Sequence, residues 1–309
     1  MDLALWIGMF IISLAVLIKS SDYFTVAAEK IGVCFGIPAF IVGVTIVSIG
    51  TSLPELASSI VATIQGSSEI VIGNVAGSNI ANILLILGVA AIIGKTLKVS
   101  WELVSVDLPL LVGSAILLVA VAMDGEITML DGILCLLGYL IYLMYTISAR
   151  HLRREKTNKR KLGWKPPVLL ILSAGFIYFS ATYTIESIVK LSQLLDIGKD
   201  LIAVSAVALG TSLPEMMVSI VAASKGKSEI AIGNVLGSNI FNSFAVIGIP
   251  AMIGTLAVPE SMIKFTLPVM LVATLMYFFI TQDKKVTRWE GSMLVLLYIF
   301  FVSKIFNIL

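Results

Sequence analysis

The chain contains the hexapeptide GTSLPE twice, at Gly50–Glu55 and at Gly210–Glu215. Each copy is followed at the same distance by a second related block, GNVAGSNIAN at Gly73–Asn82 and GNVLGSNIFN at Gly233–Asn242. The copies align without a gap at an offset of 160 residues, and 27 of the 45 aligned positions are identical. A repeat of this length requires a fold that contains two related halves.

Each copy of the repeat carries one acidic side chain, Glu55 or Glu215, within otherwise apolar sequence. An acid inside a membrane is costly, so it usually faces a polar cavity and has a partner there. Pro54 cannot donate a backbone hydrogen bond and disturbs the preceding turn, which is tolerated at membrane depth only beside a cavity or inside protein. The repeat therefore predicts a two-fold-related ion site in the middle of a membrane.

The composition places the chain among integral membrane proteins. Of its 309 residues, 58% are hydrophobic and only 13% are charged, and its mean hydropathy is +1.04. A soluble domain carries about 25% charged residues.

The first apolar segment begins behind Asp2 without a basic n-region, which favours a retained span over a signal peptide. Cys34 and Cys135 lie in apolar sequence without metal-ligand spacing and are interpreted as packed thiols.

We predict an all-α polytopic membrane protein with ten transmembrane helices. The spans centre on Leu3–Ile18, Ile37–Ile64, Ile70–Ile93, Leu103–Met123, Met129–Ser148, Val168–Val189, Ile197–Ser224, Ile230–Ile253, Ile263–Ile280 and Trp289–Phe306. The chain then divides into a first five-helix repeat (1–148), a basic linker (149–166) and a second five-helix repeat (167–309). Because five is odd, the halves enter the membrane from opposite sides and form an inverted repeat.

The basic residues predict the orientation. If the central loop is cytoplasmic, 17 of the 21 Lys and Arg residues lie on the cytoplasmic side, as the positive-inside rule requires. We therefore expect a protein of the plasma membrane with both termini outside. The loop is interpreted as a topogenic linker rather than a nucleic-acid patch, and its His151 as solvated.

The repeated polar residues are oxygen donors at helical spacing. Thr51 lies four residues before Glu55, so the two share a helix face, and the second half repeats the arrangement. Ser78 and Asn82 are also four apart. Carboxylate, hydroxyl, amide and backbone oxygens suit calcium or sodium and do not suit zinc or copper. The candidate site residues are Glu55, Glu215, Thr51, Thr211, Ser78, Ser238, Asn82, Asn242, Ser52, Ser212, Ser48 and Ala208.

The other acids have ordinary interpretations at the ends of the predicted spans. Glu69 and Glu229 would open the third and eighth helices, where the helix dipole favours a negative charge. Asp107, with other acids of the first half, falls near a span end and is given the same structural interpretation.

At the repeated motifs the chain resembles the calcium:cation antiporter superfamily, and specifically its sodium/calcium exchanger branch, which includes bacterial and archaeal members. The resemblance covers essentially the whole chain, and the GTSLPE and GNxxGSNIxN blocks carry it. It implies four ion sites in a diamond at the centre of broken helices 2, 3, 7 and 8.

The resemblance also implies individual roles. Calcium would be bound by the two glutamates with Thr51 and Thr211. Sodium would use the same glutamates with Ser78 and Ser238 and with backbone carbonyls near Ser48 and Ala208, while Asn82 and Asn242 would line the middle site. Some archaeal members and the potassium-dependent branch carry Asp in place of Asn242, so the Asn argues against potassium coupling.

The function expected from this resemblance is calcium/sodium antiport by alternating access, in a non-enzymatic protein that works as a monomer in the lipid bilayer without a cofactor. Calcium/proton antiport is the alternative that the sequence leaves open. A passive cation channel is more remote, because channels normally gather rings of acids from identical subunits.

Overall fold

Helices make up nearly all of the computed structural model, which describes residues 2–99, 106–152, 163–194 and 212–305. The helices in these ranges are α1 (Asp2–Phe35), α2 (Ala39–Thr51), α3 (Leu53–Ile64), α4 (Glu69–Gly94), α5 (Asp107–Ala122), α6 (Met129–Leu152), α7 (Lys165–Leu194), α8 (Leu213–Ser224), α9 (Ser228–Ala251), α10 (Met262–Thr281) and α11 (Arg288–Ile305).

The helices confirm a multi-pass membrane protein. Six of those described are long and apolar enough to cross a bilayer, and the bent pair α2–α3 would be a seventh. The apolar helices α5 and α8 are shorter. Each of the ten predicted spans overlaps at least one described helix, although the seventh span is described only from residue 212 onward. Most of the predicted linker, residues 153–162, lies outside the described residues.

The second predicted span is broken at the GTSLPE motif, as expected. Helix α2 ends at Thr51 and α3 starts at Leu53, with a bend of 41° between them. Ser52 leaves the helical conformation at φ −89° and ψ 6°, and Pro54 then occupies the first turn of α3, where its missing N–H has no partner to lose. In the second half Ser212 has nearly the same geometry, φ −84° and ψ 0°, before α8.

The prediction of breaks in the third and eighth spans is wrong. Helices α4 and α9 run without interruption through the GNxxGSNIxN blocks. Each contains instead a π-helical turn, at Ala81–Leu87 in α4 and at Asn242–Val246 in α9. Glycine, unlike proline, retains its backbone N–H, so the helix continues, and its irregularity takes the form of a wider turn, which is frequent at functional sites.

Two short strand pairs join the halves reciprocally. The strands are β1 (Thr96–Lys98), β2 (Glu126–Ile127), β3 (Leu256–Ala257) and β4 (Lys285–Thr287). Strand β1 pairs with β4, and Thr96 faces Thr287. The 160-residue offset makes Leu256 the equivalent of Thr96 and makes Ile127 the equivalent of Thr287. Leu256 and Ile127 are paired with each other in β2 and β3. The two pairings therefore obey the internal repeat.

Glycines allow the halves to pack with their backbones in contact. Helices α2 and α9 cross at Gly43 and Gly233, and a Cβ on Gly233 would lie 2.6 Å from the Phe40 carbonyl oxygen. At Gly237 a Cβ would lie 2.5 Å from the Val44 carbonyl oxygen. Small residues are the usual means of close helix approach in membranes.

Helix α1 packs lengthwise against α7, and Thr184 donates a hydrogen bond to Ser13 at 2.9 Å. Two ion pairs connect α1 to the turn between α8 and α9. Asp22 pairs with Lys225, and Glu29 pairs with Lys227 at 2.6 Å. This turn therefore lies level with the C-terminal part of α1.

Candidate ion site

The two repeated glutamates lie in the first turns of α3 and α8, inside the protein. Glu55 is 0% exposed and Glu215 is 2% exposed. Both follow a proline at the start of their helix. The N-terminal end of a helix carries a partial positive charge, so each carboxylate lies where the backbone favours it. The local sequence LPE thus sets both the helix start and the position of the acid.

A side chain of the first half contacts the glutamate of the second half. The Ser52 hydroxyl donates a hydrogen bond to Glu215 Oε1 at 2.8 Å. Ser52 Oγ also lies 3.1 Å from Ser238 Oγ in α9. Three residues that the sequence assigned to the site therefore meet across the interface between the halves, and all three are buried.

Asn234 connects the same interface to the backbone of Glu215. Its amide nitrogen donates to the Glu215 carbonyl oxygen (3.4 Å) and to Ser219 Oγ (2.9 Å). Its amide oxygen accepts a hydrogen bond from Thr51 at 3.3 Å. Thr51, predicted as an ion ligand, is therefore buried in the site next to the first turn of α8.

The first half repeats this arrangement at Asn74. The Asn74 amide donates to the Glu55 carbonyl oxygen (3.3 Å) and to Ser59 Oγ (3.2 Å). Sequence reasoning did not include Asn74 or Asn234 among the site residues. The signal was present, because each is the Asn of the GNV triplet in its repeat. These amides hold the first turn of α3 or α8 against the following helix.

Asn79 of α4 is hydrogen-bonded to the π-helical turn of α9. Its amide nitrogen donates to Ser243 Oγ at 2.9 Å, and its amide oxygen accepts from Asn242 at 3.2 Å. Asn242 was predicted to line the site, whereas Asn79 and Ser243 were missed. Asn82, the other predicted amide, is 1% exposed and lies in the π-turn of α4.

Several site oxygens are buried without a hydrogen-bond partner among the described residues. They are Ser78 Oγ, Asn82 Oδ1, Ser212 Oγ, Glu215 Oε2 and Asn242 Oδ1. Buried polar atoms in proteins are nearly always hydrogen-bonded. Buried hydroxyl, amide and carboxylate oxygens of this kind have the chemistry that binds a hard cation such as calcium or sodium.

The remaining site predictions have different outcomes. Thr211 and Ala208 lie outside the described residues. The Ser48 carbonyl, predicted as a sodium ligand, accepts hydrogen bonds from the Ser52 backbone N–H (3.0 Å) and the Thr51 hydroxyl (3.3 Å). A cation bound to this carbonyl would share an oxygen that already accepts two hydrogen bonds at the end of α2.

Asp107 has its predicted position at a helix start, and the structure adds that it is buried. It lies in the first turn of α5, as expected, but its side chain is 0% exposed. The Tyr145 hydroxyl of α6 donates to Asp107 Oδ2 at 3.2 Å. Its burial depends on how α5 and α6 pack, which the local sequence does not report.

Apolar helices and a buried interface of carboxylate, hydroxyl and amide oxygens together define a multi-pass membrane protein of the ion-transporter class. The family model for "Sodium/calcium exchanger protein" matches residues 5–148 and 165–306. The chain belongs to the sodium/calcium exchanger family.

Individual relatives support this assignment. The chain is 35% identical to the sodium/calcium exchanger MaX1 of Methanosarcina acetivorans, over 96% of this chain and 97% of that protein. It is 34% identical to the inner membrane protein YrbG of Escherichia coli, over 80% and 79% of the respective chains. Its structure resembles that of the sodium-calcium exchanger NCX_Mj soaked without Na⁺ and Ca²⁺, with a TM-score of 0.86 and 30% identity over 98% of this chain and 99% of that chain.

Proposed function

We propose that this protein exchanges Ca²⁺ for Na⁺ across the plasma membrane, with Glu55 and Glu215 as the shared ligands of both ions. The observation that carries the proposal is the hydrogen bond from Ser52 of the first half to Glu215 of the second (2.8 Å). It brings the two GTSLPE motifs together at a buried interface with unpartnered oxygens. The names of the relatives MaX1 and NCX_Mj support the choice of ions.

The proposed architecture is ten spans arranged as two inverted five-helix repeats. The reciprocal strand pairings support it, since exchanging the halves maps one pairing onto the other. The two amide contacts, Asn74 with Glu55 and Asn234 with Glu215, support it as well. In an inverted repeat the two glutamates reach the site from opposite membrane sides.

The proposed ligands follow from this arrangement. Calcium is bound by the two carboxylates with the Thr51 and Thr211 oxygens. Sodium ions use the same carboxylates with Ser78 and Ser238, and the amides of Asn82 and Asn242 line the middle of the site. Ser52 orients Glu215 through its hydrogen bond, and Ser212 is its counterpart in the repeat.

The proposed mechanism is alternating access by competition between the ions. Because calcium and sodium need the same carboxylates, they do not fill the site together. When either cargo neutralises the glutamates, α1 and α7 slide across the site and open it to the other side. Without cargo, sliding would bring the apolar surfaces of α1 and α7 over uncompensated charge in a low dielectric, which is costly. Exchange is thereby favoured over leak, and a single chain suffices.

The decisive experiment is calcium uptake into proteoliposomes under separately imposed outward gradients of sodium, potassium or protons. We expect the sodium gradient alone to drive uptake. Uptake that follows only the proton gradient would favour calcium/proton exchange. Calcium flux that persists without any counter-ion gradient would favour a channel.

Asn242 offers a specific test of the coupling ion. A neutral amide supplies a carbonyl oxygen but no additional negative charge, so the site carries two acids rather than three. We expect calcium transport by the unmodified protein to need no potassium. We expect Asn242→Asp to alter the cation or proton dependence of transport more than calcium affinity. Flux assays with and without potassium check this, and a strict potassium requirement contradicts it.

The orientation can be tested by labelling single cysteines from each side of the membrane. A cysteine at Lys159, in the central loop outside the described residues, should react only from the cytoplasm. One at Glu126, which is exposed in β2, should react only from outside. The excess of basic residues on the loop side motivates both expectations. Reaction of both positions from one side would rule out five spans per half.

A further inference from the structure

A groove of about 500 Å³ lies between α1 and α7, away from the ion site. It is lined by Ala15, Lys19 and Tyr23 of α1 and by Leu169, Ser173 and Phe176 of α7, among others. Phe176 is 58% exposed and Tyr23 is 53% exposed. Because these helices are apolar membrane spans, the exposed side of the groove faces lipid.

Lys19 is the charged residue of the groove, and the described residues provide it with no carboxylate partner. The two acids that follow it on α1, Asp22 and Glu29, are occupied by Lys225 and Lys227. The 160-residue offset places Phe179 at the position equivalent to Lys19, so the repeat does not require a cation here. A cation bordering hydrocarbon needs an anionic partner or access to the headgroup region.

The residues around Lys19 indicate its depth in the membrane. It lies one turn before Asp22, whose partner Lys225 is 43% exposed at the turn between α8 and α9. Trp164, just before α7 begins, is 72% exposed, as is usual for tryptophan at a membrane interface. Lys19 therefore lies near the headgroups on the side of this turn, and Ala15 lies one turn deeper.

We propose that the groove binds an anionic phospholipid, with its phosphate on Lys19 and one acyl chain between α1 and α7. The groove extends from Ala15 to Tyr23, or about 12 Å along the helix axis, which accommodates part of an acyl chain. Ala15 and Ser173 are small and leave room for the chain, while the Tyr23 hydroxyl lies at the headgroup end. A neutral phospholipid would satisfy the apolar lining but would leave the charge of Lys19 without a partner.

The test is lipid retention by the intact protein. The protein is reconstituted into bilayers of phosphatidylcholine and phosphatidylglycerol in equal amounts, extracted with detergent, and weighed with its bound lipid by native mass spectrometry. We expect preferential retention of phosphatidylglycerol. Lys19→Gln should lower that retention about fivefold, the effect of one basic residue near an anionic lipid surface.

Two further variants make the result specific. Lys30→Gln removes a second exposed lysine of α1 that does not line the groove, so it should retain phosphatidylglycerol like the unmodified protein. Ala15→Phe fills the groove from an exposed position and should lower the retention of both lipids. The proposal is overturned if Lys19→Gln has no effect, if Lys30→Gln has the same effect, or if Ala15→Phe retains both lipids normally. None of these readouts depends on ion exchange.

Discussion

Replacing Glu55 or Glu215 with Gln is expected to lower calcium uptake by at least about 100-fold while leaving the protein folded. The proposed site binds one divalent ion between two carboxylates, and losing one partner of a buried, charge-compensated arrangement costs about 3–5 kcal/mol. Gln keeps the size of the side chain and one of its oxygens, so packing in the first turns of α3 and α8 should survive. Isotope uptake into proteoliposomes is the measurement, with size-exclusion chromatography to verify folding.

Glu69→Gln is the matched control. Glu69 also lies in the first turn of a membrane helix, but it is exposed and opens α4 at the surface. Calcium uptake by the Glu69→Gln variant should equal that of the unmodified protein. Near-normal uptake by either site variant would refute the assignment of the glutamates. A loss in all three variants would indicate a general effect of removing an acid rather than a defect in the site.

Gly237→Ala is expected to destabilise the protein strongly. Its added Cβ would lie 2.5 Å from both the Val44 carbonyl oxygen and Ser48 Oγ. Because the carbonyl belongs to the backbone of α2, relief of the clash requires α2 and α9 to separate. Overpacking of this kind typically costs about 1–3 kcal/mol, which corresponds to a Tm lowered by roughly 2–12 °C on the scale for domains of about 150–250 residues.

Gly113→Ala provides the comparison for this substitution. Gly113 lies within α5, and a Cβ there meets nothing within 4 Å in the described structure. Alanine favours the helix by about 1 kcal/mol over glycine, so Tm should be unchanged or slightly raised. The two variants are compared by thermal unfolding in detergent. An equal Tm for both would show that the contact between α2 and α9 does not limit stability.

Much of the site was predictable because the sequence repeats it. The duplication singled out Glu55 and Glu215, and the proline before each acid indicated the break that the structure has at Ser52. The pairing across the halves was not predictable in the same way. A repeat specifies which positions are equivalent, but it does not say that Ser52 contacts the glutamate of the other copy. That contact depends on how the two halves pack.

Features that depend on packing were the ones that sequence reasoning missed. The GNxxGSNIxN glycines suggested broken helices, yet the helices continue because glycine retains its backbone N–H, and at Gly237 the backbone of α2 packs against the glycine. Asn79 was overlooked because its partner, Ser243, is supplied by the other half. Asp107 carries no local sign that α6 will cover it.

The contact between Ser52 and Glu215 has a consequence for biosynthesis. The two residues are 163 positions apart, which corresponds to roughly 10–30 s of chain elongation at ~5–20 residues per second. Helix α3, with Glu55 in its first turn, packs against α9 of the second half. A ribosome that has completed only the first half has therefore made one acid of the site without the α9 helix that packs against α3. On insertion scales an acid at the centre of a span costs about 2.5–3.5 kcal/mol, and during that interval the nascent first half carries this cost without α9.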